Sequence, residues 1–303
     1  MDGQKRTIVG LGEVLWDLLP GGRKLGGAPA NFAYFANLVG DRGIVASRVG
    51  EDDHGRQAEA MLRHLGAGID YLQRDSVHPT GSVQVHVDAA GQAQFEIAQP
   101  VAWDFLQWTP AWEQLVETAD AVCFGTLAQR SPASRETIQQ FLRSTRPQAL
   151  RVFDVNLRPP FYSAEVLRTS LALADIVKLN HEELPVLAAM LGIAGHSDRA
   201  TAQALFRSHN FKLVCVTRGG CCSLLIGTQG ADEHPGFRVK VADTVGAGDA
   251  FTATLVHHYL LGASLAHMNE SANRVGAWVA SQVGATPVPE SGDLQAAVAA
   301  LKT

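Results

Sequence analysis

The sequence predicts an α/β fold: a doubly wound, mostly parallel sheet flanked by helices, with a small β lid. Three observations predict it. Short, near-continuous apolar segments alternate with amphipathic helical stretches along most of the chain, the pattern of a parallel sheet buried on both faces. Residues 81–97 break that alternation with period-two patterning. A chain of 303 residues with 46% hydrophobic content suffices for one large domain and a small appendage.

In chain order, strands are expected over residues 7–11, 43–48, 121–125, 151–154, 176–179, 213–217 and 222–226, each a short apolar run between turns. Helices are expected over 28–38, 55–65, 132–144, 164–174, 182–191, 199–209, 250–261, 265–283 and 293–301. Pro29 suits the first turn of the helix over 28–38. Phe251, Leu255, Val256, Tyr259 and Leu260 recur at helical spacing after Asp249. In the exceptional stretch, polar and apolar residues alternate on either side of Asp88-Ala89-Ala90-Gly91, a hairpin signal. Segments from about 13–25 and 80–98 would form the lid of a single domain over 1–303. Ligands then belong at the carboxyl ends of the parallel strands.

Composition excludes several functions. A net charge of -5 argues against a nucleic-acid surface, which needs clustered Lys and Arg. No apolar run approaches the roughly 20 residues that span a bilayer, and the polar N-terminus passes directly into Ile8-Val9-Gly10-Leu11, unlike a signal peptide. A cytoplasmic enzyme without nucleic-acid or membrane partners is expected. Cys123 and Cys215 sit inside apolar runs and Cys221-Cys222 are adjacent, which reads as structural thiols rather than a zinc or redox site. The eleven histidines show no metal-binding spacing.

The stretch from Val241 to Phe251, with Asp243-Thr244-Val245-Gly246-Ala247-Gly248-Asp249 at its centre, carries the most information. Two glycines at a helix start leave backbone N–H groups bare where the helix dipole favours an anion. A carboxylate beside an anion cradle would repel that anion. Asp249 therefore reads as a base that takes a proton from a nucleophile attacking a phosphoryl group, although Asp249 alone would read as a helix cap.

A second constellation lies near the N-terminus. Gly12-Glu13-Val14-Leu15-Trp16-Asp17-Leu18-Leu19-Pro20 follows the first strand, and Gly26-Gly27-Ala28-Pro29-Ala30-Asn31 opens the next helix. The paired glycines let a ligand approach the backbone. Asp17 accepts hydrogen bonds and Asn31 both donates and accepts them, a combination suited to vicinal hydroxyls. Taken singly, each residue reads as a turn or cap.

The Asp-Thr-x-Gly-Ala-Gly-Asp heptapeptide resembles the C-terminal signature of the ribokinase-like (PfkB) sugar kinases. Gly26 to Gly55, including Arg48-Val49-Gly50-Glu51-Asp52-Asp53-His54-Gly55, resembles their N-terminal signature. The resemblance covers essentially the whole chain and implies a ribokinase-like fold using ATP and Mg2+. Lys178-Leu179-Asn180-His181-Glu182-Glu183 resembles the family's Asn-x-x-Glu motif, which implies Asn180 near the nucleotide phosphates and Glu183 supporting magnesium through water. A capping role for both residues is compatible with this. Thr217-Arg218-Gly219-Gly220 resembles the family's nucleotide loop, implying Thr217 and Gly219 as nucleotide contacts, and Asn273 matches more loosely a residue lying against adenine. Arg158, in Asp154-Val155-Asn156-Leu157-Arg158, corresponds to an Arg that reaches substrate oxygens in fructokinase-like and ketodeoxygluconate kinase-like relatives. A K+ ion behind the cradle, using oxygens of the Asp243–Val245 loop and of 279–284, is a further implication.

The sequence lacks a Gly-x-x-x-x-Gly-Lys-Ser/Thr loop and a Gly-x-Gly-x-x-Gly after the first strand, which speaks against P-loop and dinucleotide enzymes. The expected function is MgATP-dependent phosphorylation of a small sugar, fructose before 2-keto-3-deoxygluconate or a nucleoside. The sugar would sit among Asp17, Gly27, Asn31, Arg158 and Phe95 of the lid. Asp249 would be the base, and the N–H groups of Gly246, Ala247 and Gly248 would face the transferring phosphoryl. A homodimer through the lid is a further expectation. A non-catalytic binding regulator on the same fold is the alternative class.

Overall fold

The computed structural model describes residues 5–19, 21–87, 93–290, 293–299 and 301. Its strands are β1 (Thr7–Leu11), β2 (Leu15–Leu19), β3 (Gly22–Gly26), β4 (Arg42–Gly50), β5 (Leu72–Asp75), β6 (Gly81–Val87), β7 (Ala93–Ile97), β8 (Ala121–Phe124), β9 (Leu150–Asp154), β10 (Ile176–Asn180), β11 (Leu213–Thr217), β12 (Ser223–Gly227) and β13 (Gly230–His234). Among the described residues, nine of them form one sheet in the order β13-β12-β11-β10-β9-β8-β1-β4-β5. Its pairs are parallel from β5 through β11, and β12 and β13 add antiparallel to the edge.

Alternate residues of each central strand point to opposite faces, and both faces are covered. Val9, Val122, Phe153, Val177 and Val214 join one core with the helices Pro132–Ser144, Ala164–Leu173 and Asp198–Ser208. Their neighbours Ile8, Cys123, Val152, Ile176 and Cys215 join a second core with Ala28–Leu38, Ala247–Leu260 and Leu265–Ala280. Each fully buried Val, Ile or Phe side chain contributes about 1.5–3 kcal/mol, which explains why these strands read as unbroken apolar runs. Among the described residues no helix is long and apolar enough to cross a membrane.

Four strands stand apart in a second sheet of order β3-β2-β6-β7. β2 pairs antiparallel with β3 and parallel with β6, and β6 pairs antiparallel with β7. The expected turn at 88–91 lies outside the described residues.

Several elements differ from expectation. β2, β3, β5, β13 and the helix Pro110–Thr118 are additional. β3 carries Arg23 and Lys24 between glycines, so its strand character comes from pairing with β2 rather than from its own composition. The helix expected from residue 250 starts at Ala247, because Ala250 N–H already donates to Gly246 O at 2.9 Å.

Candidate active site

The carboxyl ends of β1, β9 and β10 meet the first turns of the helices Ala28–Leu38 and Ala247–Leu260, through Gly12 against Pro29, Asp154 against Thr252 and Lys178 against Gly248. These two helices share the second core through Phe32, Phe35, Phe251 and Leu255, and that packing brings their first turns side by side. Asn31 Nδ2 donates to Asp249 Oδ2 at 2.8 Å, linking residues 218 apart in sequence. Burial, followed by the charge of Asp154, pushes the Asp249 carboxyl up to about 7, against the Asn31 hydrogen bond and the charges of Lys178 and Arg158. Asp249 is thus a carboxylate poised to exchange a proton near neutral pH.

The cradle depends on Gly246, whose φ of 82° is in the left-handed region and where a methyl group would lie 2.1 Å from Ala285 O. Among the described residues, Gly246, Gly248 and Asp249 N–H have no hydrogen-bond acceptor, whereas Ala247 N–H turns back to Thr244 O at 3.3 Å. Of the three expected donors, Ala247 N–H thus has a partner within the turn, and Gly246 and Gly248 N–H do not. A methyl group at Gly248 would lie 3.1 Å from Lys178 Nζ, so an ammonium group flanks the cradle. Lys178 is 8% exposed and donates to both Asp154 oxygens at 3.1 Å. Thr252 Oγ1 donates toward Asp154 Oδ2 (3.2 Å) and Gly248 O (2.8 Å), tying the strand ends to the cradle.

On the other side, Gly27 (φ 110°) precedes its helix, and a methyl group there would lie 2.5 Å from Glu13 O. Asp17, half-buried on β2, faces Gly26, where a methyl group would meet Asp17 Oδ2 at 2.6 Å. Burial raises the Asp17 carboxyl, opposed by the charges of Arg158 and Lys24. Arg158 is exposed, donates to Leu157 O at 3.0 Å, and lies within electrostatic reach of Glu13, Asp17 and Asp249. Phe95 lies opposite Val85 in the small sheet, and its side chain is outside the described residues.

The remaining expected positions lie along the sheet. Asn180 and Thr217 pair at the ends of β10 and β11. Asn180 Oδ1 accepts from Glu182 and Glu183 N–H, and Glu183 Oε2 accepts from Asn180 N–H, each at 2.8 Å, a reciprocal cap. Glu183 Oε1 accepts from Leu157 N–H at 2.8 Å; the reciprocal bonds expected of a capping pair are present, but they close the turn before a helix that begins only at Glu183. Gly219 adopts φ 59° just beyond Thr217. Asn273 sits near this loop, but its Nδ2 already donates to Ser223 Oγ (2.6 Å) and to Asn269 O (2.7 Å). That places Asn273 in a polar cluster between helix and sheet, with its amide nitrogen engaged. Asp243 accepts from Val245 N–H at 3.0 Å and Gly284 N–H at 3.1 Å, with Lys24 Nζ 3.7 Å away. Both contacts close its loop. Among the described residues, no three His, Cys, Asp or Glu side chains converge to hold a metal.

Sequence reasoning passed over two residues of this site, Glu13 and Lys178. Both stand inside recognised motifs, yet a buried charge has the same letter as an exposed one. A lysine inside an apolar strand was the available signal.

This fold, with a buried carboxyl beside a glycine-framed helix start, is that of a sugar phosphotransferase. The model of the pfkB family carbohydrate kinases matches residues 21–291, and the chain belongs to that family. It is 33% identical over 261 residues to a fructokinase of Escherichia coli, covering 81% of this chain and 82% of the relative. A fructokinase of Xylella fastidiosa, solved with bound ATP, superposes with a TM-score of 0.79 at 27% identity, covering 93% and 94% of the two chains. A fructokinase of Vibrio cholerae O395, solved with fructose, ADP and calcium ion, gives a TM-score of 0.79 at 28% identity and covers 99% of each chain.

Proposed function

We propose that this sugar kinase is an ATP-dependent fructokinase, moving the γ-phosphoryl group to the 6-hydroxyl of fructose. The observation that carries this reading is Asp249, raised to about 7 and held by Asn31 at the mouth of a cradle of bare N–H groups. The fructokinase names of relatives, and the fructose and ADP in one of their structures, support the substrate. Asp249 takes the proton of the attacking hydroxyl. The free N–H groups at Gly246, Gly248 and Asp249 stabilise charge on the transferring group, with the Lys178 ammonium beside them. Fructose sits among Asp17, Gly27, Asn31 and Arg158, and ATP extends toward Asn180, Thr217, Gly219 and Asn273.

The donor set agrees with a magnesium ion that is held mainly by the nucleotide. Asp154 and Glu183 are spent on Lys178, Thr252 and backbone N–H groups, and Mg2+ typically keeps waters and substrate phosphates as ligands. Bound there, it would neutralise phosphate charge, and Glu183 would be the residue to hold its waters. A potassium ion would depend on backbone oxygens around Asp243 and 279–284, since the Asp243 side chain is engaged.

A specific observation favours 2-keto-3-deoxygluconate as second substrate: the exposed Arg158 guanidinium faces the sugar side and could take a carboxylate. A coupled ADP-release assay over fructose, 2-keto-3-deoxygluconate and nucleosides decides. The highest kcat/KM is expected with fructose. A higher value with the keto acid transfers the reading to that substrate, and release independent of every acceptor removes the kinase reading altogether.

The second sheet acts as a lid over the sugar. β2 brings Asp17 to the site and β3 reaches Asp243 through Lys24, while β6 and β7 belong to this second sheet and not to the main one. Closure would shield the reaction from water. Amide exchange within Gly81–Val87 and Ala93–Ile97 is expected to slow when fructose binds. Unchanged exchange would make this sheet a fixed part of the scaffold.

A further inference from the structure

Glu13 has no part in the reaction described above, yet it occupies its centre. It follows β1, at the carboxyl end of a central strand, and is 4% exposed. Its Oε2 is fully enclosed and has no hydrogen-bond partner among the described residues. Leaving a buried carboxylate oxygen unpartnered is costly, whereas an apolar side chain of similar size would carry no such cost.

The surroundings are built around this residue. Gly12 (φ 146°) turns the chain immediately before it, and Gly27 lets the next helix approach Glu13 O more closely than any side chain would allow. Glu13 lines a cavity of about 10 Å³ together with Asp249, Asp154, Asn156, Pro29 and Phe32. That is room for one water or one hydroxyl group. Asp249, which meets the attacking hydroxyl, opens onto the same cavity, and Arg158 acts on Glu13, Asp17 and Asp249 alike. The residue with the unpartnered oxygen thus shares a cavity with the carboxyl of Asp249.

We propose that Glu13 contacts the acceptor sugar, its free Oε2 taking a hydroxyl other than the one that is phosphorylated. Burial raises the Glu13 carboxyl to about 7, opposed by its own and the Ala28 backbone N–H and by Arg158, while Asp249 adds to the rise. A neutral carboxyl donates to a sugar hydroxyl and an ionised one accepts from it, so the contact persists through that titration. Glu13 then selects acceptors that carry a hydroxyl at one defined position. The proposal rests on the sugar-kinase reading with Asp249 as base.

The test uses Glu13→Leu and Glu13→Gln with fructose and a set of mono-deoxy fructose analogues. Glu13→Leu is expected to raise the KM for fructose at least about 10-fold, the scale of one lost hydrogen bond to a charged group, while kcat stays within about 3-fold. Glu13→Gln keeps a hydrogen-bonding group and should recover most of that loss. One analogue, lacking the hydroxyl that Glu13 holds, should be penalised in the unaltered enzyme and carry no further penalty in Glu13→Leu. If Glu13→Leu does not fold, Glu13→Ala reads the same coupling. An unchanged KM, or equal penalties for every analogue in both enzymes, overturns the proposal and leaves Glu13 as the partner of a structural water. Asp249→Asn, assayed alongside, separates the two readings. A turnover-deficient Asp249→Asn with indifferent Glu13 variants sinks only this inference, whereas an active Asp249→Asn removes the base on which it rests.

Discussion

Replacing Asp249 with asparagine is expected to lower kcat by at least about 100-fold, the low end for loss of a general base. The substitution keeps size and shape, and an amide oxygen can still accept the Asn31 hydrogen bond seen at 2.8 Å. ATP affinity should stay near its original value, because the cradle consists of backbone N–H groups and the Lys178 ammonium. It could rise slightly, since a negative charge beside the phosphates is gone. The pH profile supplies an independent signature. Asp249 must be ionised to accept a proton, so kcat/KM of the unaltered enzyme should fall as pH drops below about 7, and that limb should vanish in the variant. Stability should respond in the opposite sense. Between 3.8 and about 7 the folded protein retains a proton at Asp249 that the unfolded chain has released. Folding stability contributed by this group therefore decreases as pH rises through that window. Asp249→Asn should be more thermostable than the unaltered protein at pH 8, and the gain should shrink toward pH 4. Near-normal turnover would reduce Asp249 to a helix cap.

How far the sequence foretold this arrangement depends on the kind of interaction. β1, β11 and the helices Ala28–Leu38 and Pro132–Ser144 lie where periodicity places them, because strands covered on both faces and helices with one buried face write their environment into consecutive residues. β3 and β5 do not. Lys24 and Gln73 give no strand signal, and both strands depend on a neighbouring strand for their hydrogen bonds. The glycine-rich helix start was legible because Gly246 must adopt a positive φ against Ala285, a demand that only glycine meets cheaply. The Asn31–Asp249 contact was not, since no local pattern couples residues so far apart. Nor was the engagement of Asn273 with Ser223, which exists only because the helix Leu265–Ala280 lies against β12.

Lys178→Met should be the most destabilising change at the site. Lys178 and Asp154 are adjacent across β10 and β9, both nearly buried, and two 3.1 Å contacts join them. Removing the cation leaves Asp154 enclosed with, among the described residues, only Thr252 Oγ1 as a side-chain donor at 3.2 Å. Breaking one partner of a buried pair costs about 3–5 kcal/mol, which chemical denaturation would read as a lower midpoint at an unchanged slope. Function should suffer separately. Lys178 is the ammonium beside Gly248, so ATP affinity should fall. Its positive charge also holds the Asp249 carboxyl down, so the acid limb of kcat/KM should move to higher pH. The double variant Lys178→Met, Asp154→Leu distinguishes these effects. It removes the orphaned charge and should regain much of the lost stability, as apolar replacements of buried pairs often do, while ATP binding remains weak because no ammonium returns to the cradle. Recovery of ATP affinity together with stability would mean that Lys178 serves only the fold. A single variant that unfolds within about 1 kcal/mol of the unaltered protein would mean that water reaches Asp154 and that the pair is not buried in solution.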